Sequence, residues 1–156
     1  EVVRCCTEIG VTTIIPILSQ RTLLKPSVNK LTRWQRIAQE AAEQSERAIV
    51  PTIWEPIPLS AALSNYSSTS THCYFCTARH DVPLLSTVLS GQLAFGDSVV
   101  MATGCEGGWT ESEILEAQEA QFQLVSLGRR ILRAVTAPIT AMSLVASFSE
   151  EIQPES

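Results

Sequence analysis

The stretch VVMATGCEGGWTESEILEAQEAQFQLVSLGRRILR, residues 99–133, changes texture four times, and that order decides the fold. Its first five residues are apolar or β-branched and read as a strand. The chain then breaks at Gly104, turns through Gly107 and Gly108, and resumes at Thr110 as a charged helix start. Thr110 and Glu113 have capping-box spacing, in which each side chain satisfies a backbone N–H at the other residue. FQLVSL (122–127) is a second strand, broken at Gly128 by a basic turn carrying Arg129, Arg130 and Arg133. This order predicts two loops leaving the same end of neighbouring parallel strands, where open α/β sheets hold ligands.

Upstream, Leu31, Trp34, Ile37, Ala38, Ala41 and Ala42 form one helical stripe and predict a helix from about Lys30 to Arg47. Val2, Val3, Cys6 and Ile9 predict an earlier helix, closed by Gly10. Nothing caps its start, so the chain is expected to be a fragment. TTIIPIL (12–18) reads as a strand with an edge position or irregularity at Pro16. IVPTIWEPIP (49–58) reads as a short extended piece, and Ser60 as the cap of a brief helix through SAAL. SNYSSTST (64–71) is a polar loop, HCYFCTA (72–78) a strand, and PLLSTVLS (83–90) a short helix with Pro83 in its first turn. From Ile131 to about Glu150 a long, widely apolar helix containing Pro138 is predicted, able to pack on the sheet and against a second subunit. Strands alternating with helices argue an α/β fold with a mainly parallel sheet.

With 156 residues, 45% of them apolar, one domain with a core is expected. No apolar run approaches the roughly 18 residues that span a bilayer, and no secretory signal opens the chain, so it reads as soluble and cytoplasmic. The net charge of −5, from 16 acidic and 11 basic residues, gives no general attraction to phosphate backbones. The cluster of Arg129, Arg130 and Arg133 leaves one local patch that could meet phosphate.

Five cysteines without a secretory signal fit free thiols in a reducing compartment. Cys73 and Cys76 form a C-x-x-C beside His72, but in a strand residues three apart face opposite ways, and no second pair completes a ligand set. No metal site is expected. Neither His72 nor His80 has a partner set for a catalytic triad. Only Cys5 and Cys6 have a positive neighbour, Arg4, so a nucleophilic thiol is not supported.

Glycines at 104, 107 and 108 permit close backbone approach and positive φ, which suits a ligand loop. On their own they read first as an ordinary strand-to-helix turn, since neither a phosphate loop nor G-x-G-x-x-G is present. Arg130 and Arg133, three apart at a predicted helix entry, oppose the local helix dipole, which favours a functional or ion-paired role. Glu43, Gln44 and Arg47 read as a solvated helix end.

Four segments carry a likeness: CTEIGVTTIIPILSQRT (6–22), RWQRIAQEAAEQSERAIVP (33–51), ATGCEGGWTESEI (102–114) and LVSLGRRILRAVTAP (124–138). In that order they resemble the RsmE family of 16S ribosomal RNA methyltransferases. The resemblance implies a SPOUT fold over residues 1–150, with a C-terminal deep trefoil knot, a homodimer, and a polar tail at 151–156. It implies transfer of a methyl group from S-adenosyl-L-methionine to N3 of a uridine in 16S rRNA of the small subunit. By likeness, Gly104, Glu106, Gly107, Gly108, Leu127, Gly128, Ile131 and Leu132 hold the cofactor, and Thr77 closes the same pocket. Arg133 is the candidate catalytic donor and Arg130 the candidate RNA phosphate contact. The family's loop usually has proline where Cys105 stands, which is expected to loosen the turn. The family's N-terminal PUA-like domain and first strand are not found in this stretch. Two alternatives are a catalytically impaired, cofactor-binding or dimerising fragment, and a SPOUT methyltransferase acting on another RNA such as tRNA.

Overall fold

The computed structural model describes residues 1–23, 26–66, 71–79 and 81–152. Three consecutive parallel strands form its central sheet: β5 (Thr71–Cys76), β6 (Ser98–Ala102) and β7 (Gln123–Val125). The order is β6-β5-β7, so β5 lies between the other two. Phe75 stands opposite both Ala102 and Leu124. The strands before the two key loops therefore flank β5 and do not touch each other, which corrects the neighbouring-strand expectation. Sequence texture cannot reveal that the crossover from β6 returns past β5.

Strand alternation divides the core into two layers. Cys73, Phe75 and Leu124 pack with α3 (Leu59–Tyr66) and α5 (Glu111–Glu119) on one face. Tyr74, Cys76 and Val125 pack with α4 (Leu85–Gln92) and α6 (Thr136–Glu151) on the other. Cys73 and Cys76 thus lie on opposite faces, as their strand spacing requires. Phe75 and Tyr74 are essentially inaccessible to water, each contributing about 2–3 kcal/mol through burial.

A second, smaller ribbon lies upstream. Helix α1 (Val2–Ile9) ends at Gly10, whose φ of 117° lets its N–H reach the carbonyls of Cys6 and Thr7. Helix α2 (Val28–Gln44) starts at Ser27, whose side chain accepts from the Lys30 N–H. Arg47 is not solvated as expected: its guanidinium donates to the Thr7 carbonyl at 2.7 Å, at the C-terminal end of α1 where a cation is favoured. Val3, Ala38 and Ile53 bury the seam between helices and ribbon.

The ribbon pairs β1 (Thr13–Ile14) with β3 (Thr52–Ile53) and β2 (Ile17–Leu18) with β4 (Ile57–Pro58), both in parallel. Between the two short ladders, residues 54–56 stand opposite residues 15–16, so the ribbon bulges where Pro16 and Pro56 interrupt it. The irregularity expected at Pro16 is there. A largely apolar cleft of about 760 Å³ separates this ribbon from the β6 edge and reaches Gly104 and Cys105 at one end. Its walls belong mostly to the junction between ribbon and sheet.

Three helix boundaries differ from expectation. Ser60 lies inside α3 instead of capping it, and Pro83 lies before α4, where its carbonyl accepts from the Ser126 N–H at 2.8 Å. Helix α6 begins at Thr136, not Ile131, and runs through Glu151 into the expected tail. Residues 131–133 carry helical spacing but lie in the irregular stretch between β7 and α6, which packs against α1, α4 and β6. His80, residues 67–70 of the polar loop and residues 153–156 of the tail lie outside the described residues. Among the described residues no helix is long and apolar enough to cross a membrane.

Candidate functional site

Because β5, β6 and β7 are parallel, the loops that follow them emerge at one end of the sheet. The loop after β6 is tied to β5: the Trp109 indole packs against Phe75, tilted by 31° with centroids 4.4 Å apart, and its Nε1 donates to the Cys76 carbonyl at 3.1 Å. The loop after β5 is tied to β7, because the Thr77 N–H donates to the Val125 carbonyl at 2.9 Å. Ser126 extends the join, donating its N–H to Pro83 while its carbonyl accepts from Leu85. Thr77, the glycine loop and the turn at Leu127 and Gly128 therefore surround the C-terminal end of β5. Burial raises the Cys76 thiol at this end to about 12, so it stays protonated and takes no part as a nucleophile.

The glycines of the loop have separate physical reasons. A Cβ at Gly104 would come within 3.3 Å of the Trp109 indole, and one at Gly107 within 3.1 Å of the Arg21 Cβ. Close approach at these two positions is thus by protein side chains. Gly108 (φ 71°) and Gly128 (φ 131°) adopt backbone that L-residues avoid, and the space beside both is open. Those two backbone segments can face a ligand. The turn is closed by the Gly108 N–H donating to the Cys105 carbonyl at 2.9 Å, and the Cys105 thiol lies 3.5 Å from Ser19 Oγ. Cys105 leaves the turn hydrogen-bonded.

Glu113 anchors the start of α5. Its Oε2 accepts from the Thr110 N–H at 2.8 Å, and the Glu113 N–H donates to Thr110 Oγ1 at 3.2 Å, completing the capping box read from the sequence. Its Oε1 accepts from the Gln20 N–H at 2.7 Å, and the residue is only 2% exposed. Arg21 Nη1 then donates to the carbonyls of Gly107 (2.8 Å) and Trp109 (3.3 Å). Sequence reading missed Gln20, Arg21 and Trp109 as parts of this site. Gln20 and Arg21 carry no local signal, because their partners lie more than 80 positions away.

The Ser126 hydroxyl shapes the second turn, accepting from the Gly128 N–H at 3.1 Å and donating to the Gly128 carbonyl at 3.0 Å. Beyond it Arg129, Arg130, Ile131 and Arg133 are exposed and Leu132 is half-buried. The arginines do not project from adjacent helical turns, since the helix has not yet begun. Their side chains make no hydrogen bond or ion pair among the described residues. Thr77 is buried, and its Oγ1 accepts from the Arg79 N–H at 3.3 Å, so its side chain braces the loop. Glu106 is exposed at the loop tip. His72 lies near the other end of β5, 2.7 Å from Asp97, remote from these loops.

Backbone-lined loops at the carboxyl ends of parallel strands, the end where open α/β sheets hold their ligands, with exposed arginines beside them, define the class as an open α/β domain. The comparisons with known proteins give that class its family. The model of the RNA methyltransferase domain family matches residues 1–146, and the chain belongs to that family. The ribosomal RNA small subunit methyltransferase E of Synechocystis sp. is 47% identical over 150 residues, covering 96% of this chain and 49% of that protein. The enzyme of the same name from Bacillus subtilis is 32% identical, covering 92% of this chain and 59% of its own length. Among solved structures, ribosomal RNA small subunit methyltransferase E from Neisseria gonorrhoeae, bound to S-adenosyl methionine, superposes with a TM-score of 0.82 at 34% identity. That match covers 94% of this chain and 59% of the other. The chain spans about half the length of the curated relatives it matches.

Proposed function

We propose that this chain binds S-adenosylmethionine at the three-loop end of β5 and serves the methylation of uridine N3 in small-subunit ribosomal RNA. The observation that carries the reading is the convergence of the loops after β5, β6 and β7, with open space beside Gly108 and Gly128. The similar Neisseria gonorrhoeae enzyme is bound to this cofactor. Gly104, Glu106, Gly107 and Gly108 form one wall, Leu127, Gly128, Ile131 and Leu132 the other, and Thr77 the floor. When bound, the cofactor supplies an electrophilic methyl group carried on sulfur.

The chain's own contribution is positioning and electrostatics. The loop backbones orient the ligand, and the rigid β5 end keeps reacting atoms near attack distance. Uridine N3 gives up its proton to water ahead of forming its bond to the methyl group, whose bond to sulfur breaks in the same displacement, so negative charge develops on the uracil before the transfer. Arg133 donates hydrogen bonds to that charge, and Arg130 holds an RNA phosphate. Both are exposed, and their side chains make no hydrogen bond or ion pair among the described residues, which leaves them available to RNA.

The reading extends to architecture. Helix α6 packs on the β6 side of the sheet, although it follows β7 at the opposite edge. Residues 126–135 therefore cross the strand ends, which supports a deep trefoil knot in residues 1–150. Ile131, 86% exposed, and Val135, 41% exposed, supply apolar surface for a homodimer. Cytoplasmic small-subunit rRNA is the partner consistent with this chemistry.

Titration calorimetry with S-adenosylmethionine tests the site, and transfer of labelled methyl to 16S rRNA tests the reaction. In single turnover at saturating cofactor and RNA, Arg133→Ala should slow methylation about 100-fold or more, the scale of losing an oxyanion-type donor. Full activity in that variant would remove Arg133 from catalysis. Cofactor binding without transfer would assign the chain a binding or dimerising role.

A further inference from the structure

We infer that Arg21 is a positioning residue that presets the glycine loop for its ligand. This rests on the reading of that loop as a cofactor wall. Its Nη1 donates to Gly107 and Trp109 carbonyls, at 2.8 and 3.3 Å. The N–H at the other end of each of those peptide groups is also engaged: Gly108 donates to the Cys105 carbonyl at 2.9 Å, and Thr110 to Glu113 Oε2 at 2.8 Å. Two peptide planes of the loop are thus held at both ends. A peptide with both ends bonded cannot flip without breaking two hydrogen bonds, so the loop is ordered before any ligand arrives and the entropy cost of binding falls.

The Arg21 stem reinforces the clamp. A Cβ at Gly107 would stand 3.1 Å from the Arg21 Cβ and 3.3 Å from its Cδ, so the Arg21 stem would have to give by a few tenths of an ångström to admit one. Glycine and arginine therefore form one packed unit across 86 positions of sequence. The neighbouring bond from Gln20 N–H to Glu113, at 2.7 Å, anchors the segment that carries Arg21. The ribbon that ends in β2 thereby controls a loop belonging to the other sheet. Arg21 acts through the loop backbone and is not assigned a contact with the ligand.

The test uses Arg21→Ala and Arg21→Lys in the full chain. Amide hydrogen exchange without ligand should speed up at Gly108 and Thr110 in Arg21→Ala and return towards wild type in Arg21→Lys. By calorimetry, Arg21→Ala should weaken S-adenosylmethionine about tenfold, or about 1.4 kcal/mol. S-adenosylhomocysteine, which lacks the sulfonium charge, should weaken equally, because the loop and not the charge is at issue. Unchanged exchange at both amides would overturn the inference, as would faster exchange with unchanged cofactor affinity, or a loss confined to RNA binding. A wild-type chain that bound neither ligand would sink the cofactor reading, while the exchange rates would still decide whether the clamp exists.

Discussion

Replacing Glu113 tests most directly how two distant parts of the chain are joined. Its carboxylate is 2% exposed and accepts from two backbone N–H groups, Gln20 at 2.7 Å and Thr110 at 2.8 Å. Glu113→Ala strips both donors of their partner. Each unpaired N–H costs about 1–3 kcal/mol when buried; these are only partly enclosed, so about 1.5 kcal/mol apiece is appropriate, or roughly 3 kcal/mol in all. For a chain of this size that lowers the melting temperature by roughly 6–12 °C. Glu113→Gln keeps one acceptor oxygen and turns an N–H₂ towards the other donor, so it should lose about half as much. Thr110→Ala removes the reciprocal cap bond and an exposed contact with Ser112 Oγ at 3.1 Å, and should cost about 1 kcal/mol. The two side-chain bonds are separate, each to the other residue's backbone N–H, but both cap the same first turn of α5, so the losses couple and the double variant should be milder than the sum. Urea and thermal unfolding followed by circular dichroism at pH 7 give these differences. A Glu113→Ala variant within about 0.5 kcal/mol of wild type would refute the idea that this carboxylate joins Gln20 to α5.

Gly108→Ala places a Cβ in open space but on backbone with φ 71°, so it should destabilise by about 1 kcal/mol without a clash; a variant as stable as wild type in urea would contradict that assignment. In native alkylation at pH 8 with mass mapping, Cys6 and Cys76 should stay unmodified, since burial raises their thiols to about 11 and about 12. The half-buried Cys5 and Cys105 should label first, and early labelling of Cys76 would show that the β5 end opens. The Asp97 carboxyl is held below its ordinary range by the Ala94 N–H at 2.8 Å and by His72 at 2.7 Å. A carboxyl lowered in the folded state stabilises above its unfolded pKa of about 3.9, and the contribution is lost as pH falls through the folded value. Wild type should therefore exceed Asp97→Asn in stability near pH 6 and converge with it towards pH 3; a gap independent of pH would exclude this linkage.

Much of the local structure was legible because its causes span only a few residues. The capping box at Thr110 and Glu113, the glycine closure at Gly10 and the opposite faces of Cys73 and Cys76 all follow from short-range geometry. The amphipathic stripe from Leu31 to Ala42 predicted α2 nearly to its ends. The late start of α6 was not legible, because Ile131 and Leu132 keep a helical apolar spacing while crossing from one edge of the sheet to the other. Arg47 likewise resembled a solvated helix end until folding set its guanidinium on the Thr7 carbonyl.

The glycine loop divides the two kinds of information. By itself the sequence determined that a strand ends before Gly104 and that a capped helix starts after it, since periodicity, glycine and capping chemistry act within one turn of chain. Only the tertiary structure decided that β5 separates the two loop-bearing strands and that Arg21 fixes the Gly107 and Trp109 carbonyls. Strand order and a contact across 86 residues depend on how the whole chain closes, and no local pattern encodes them.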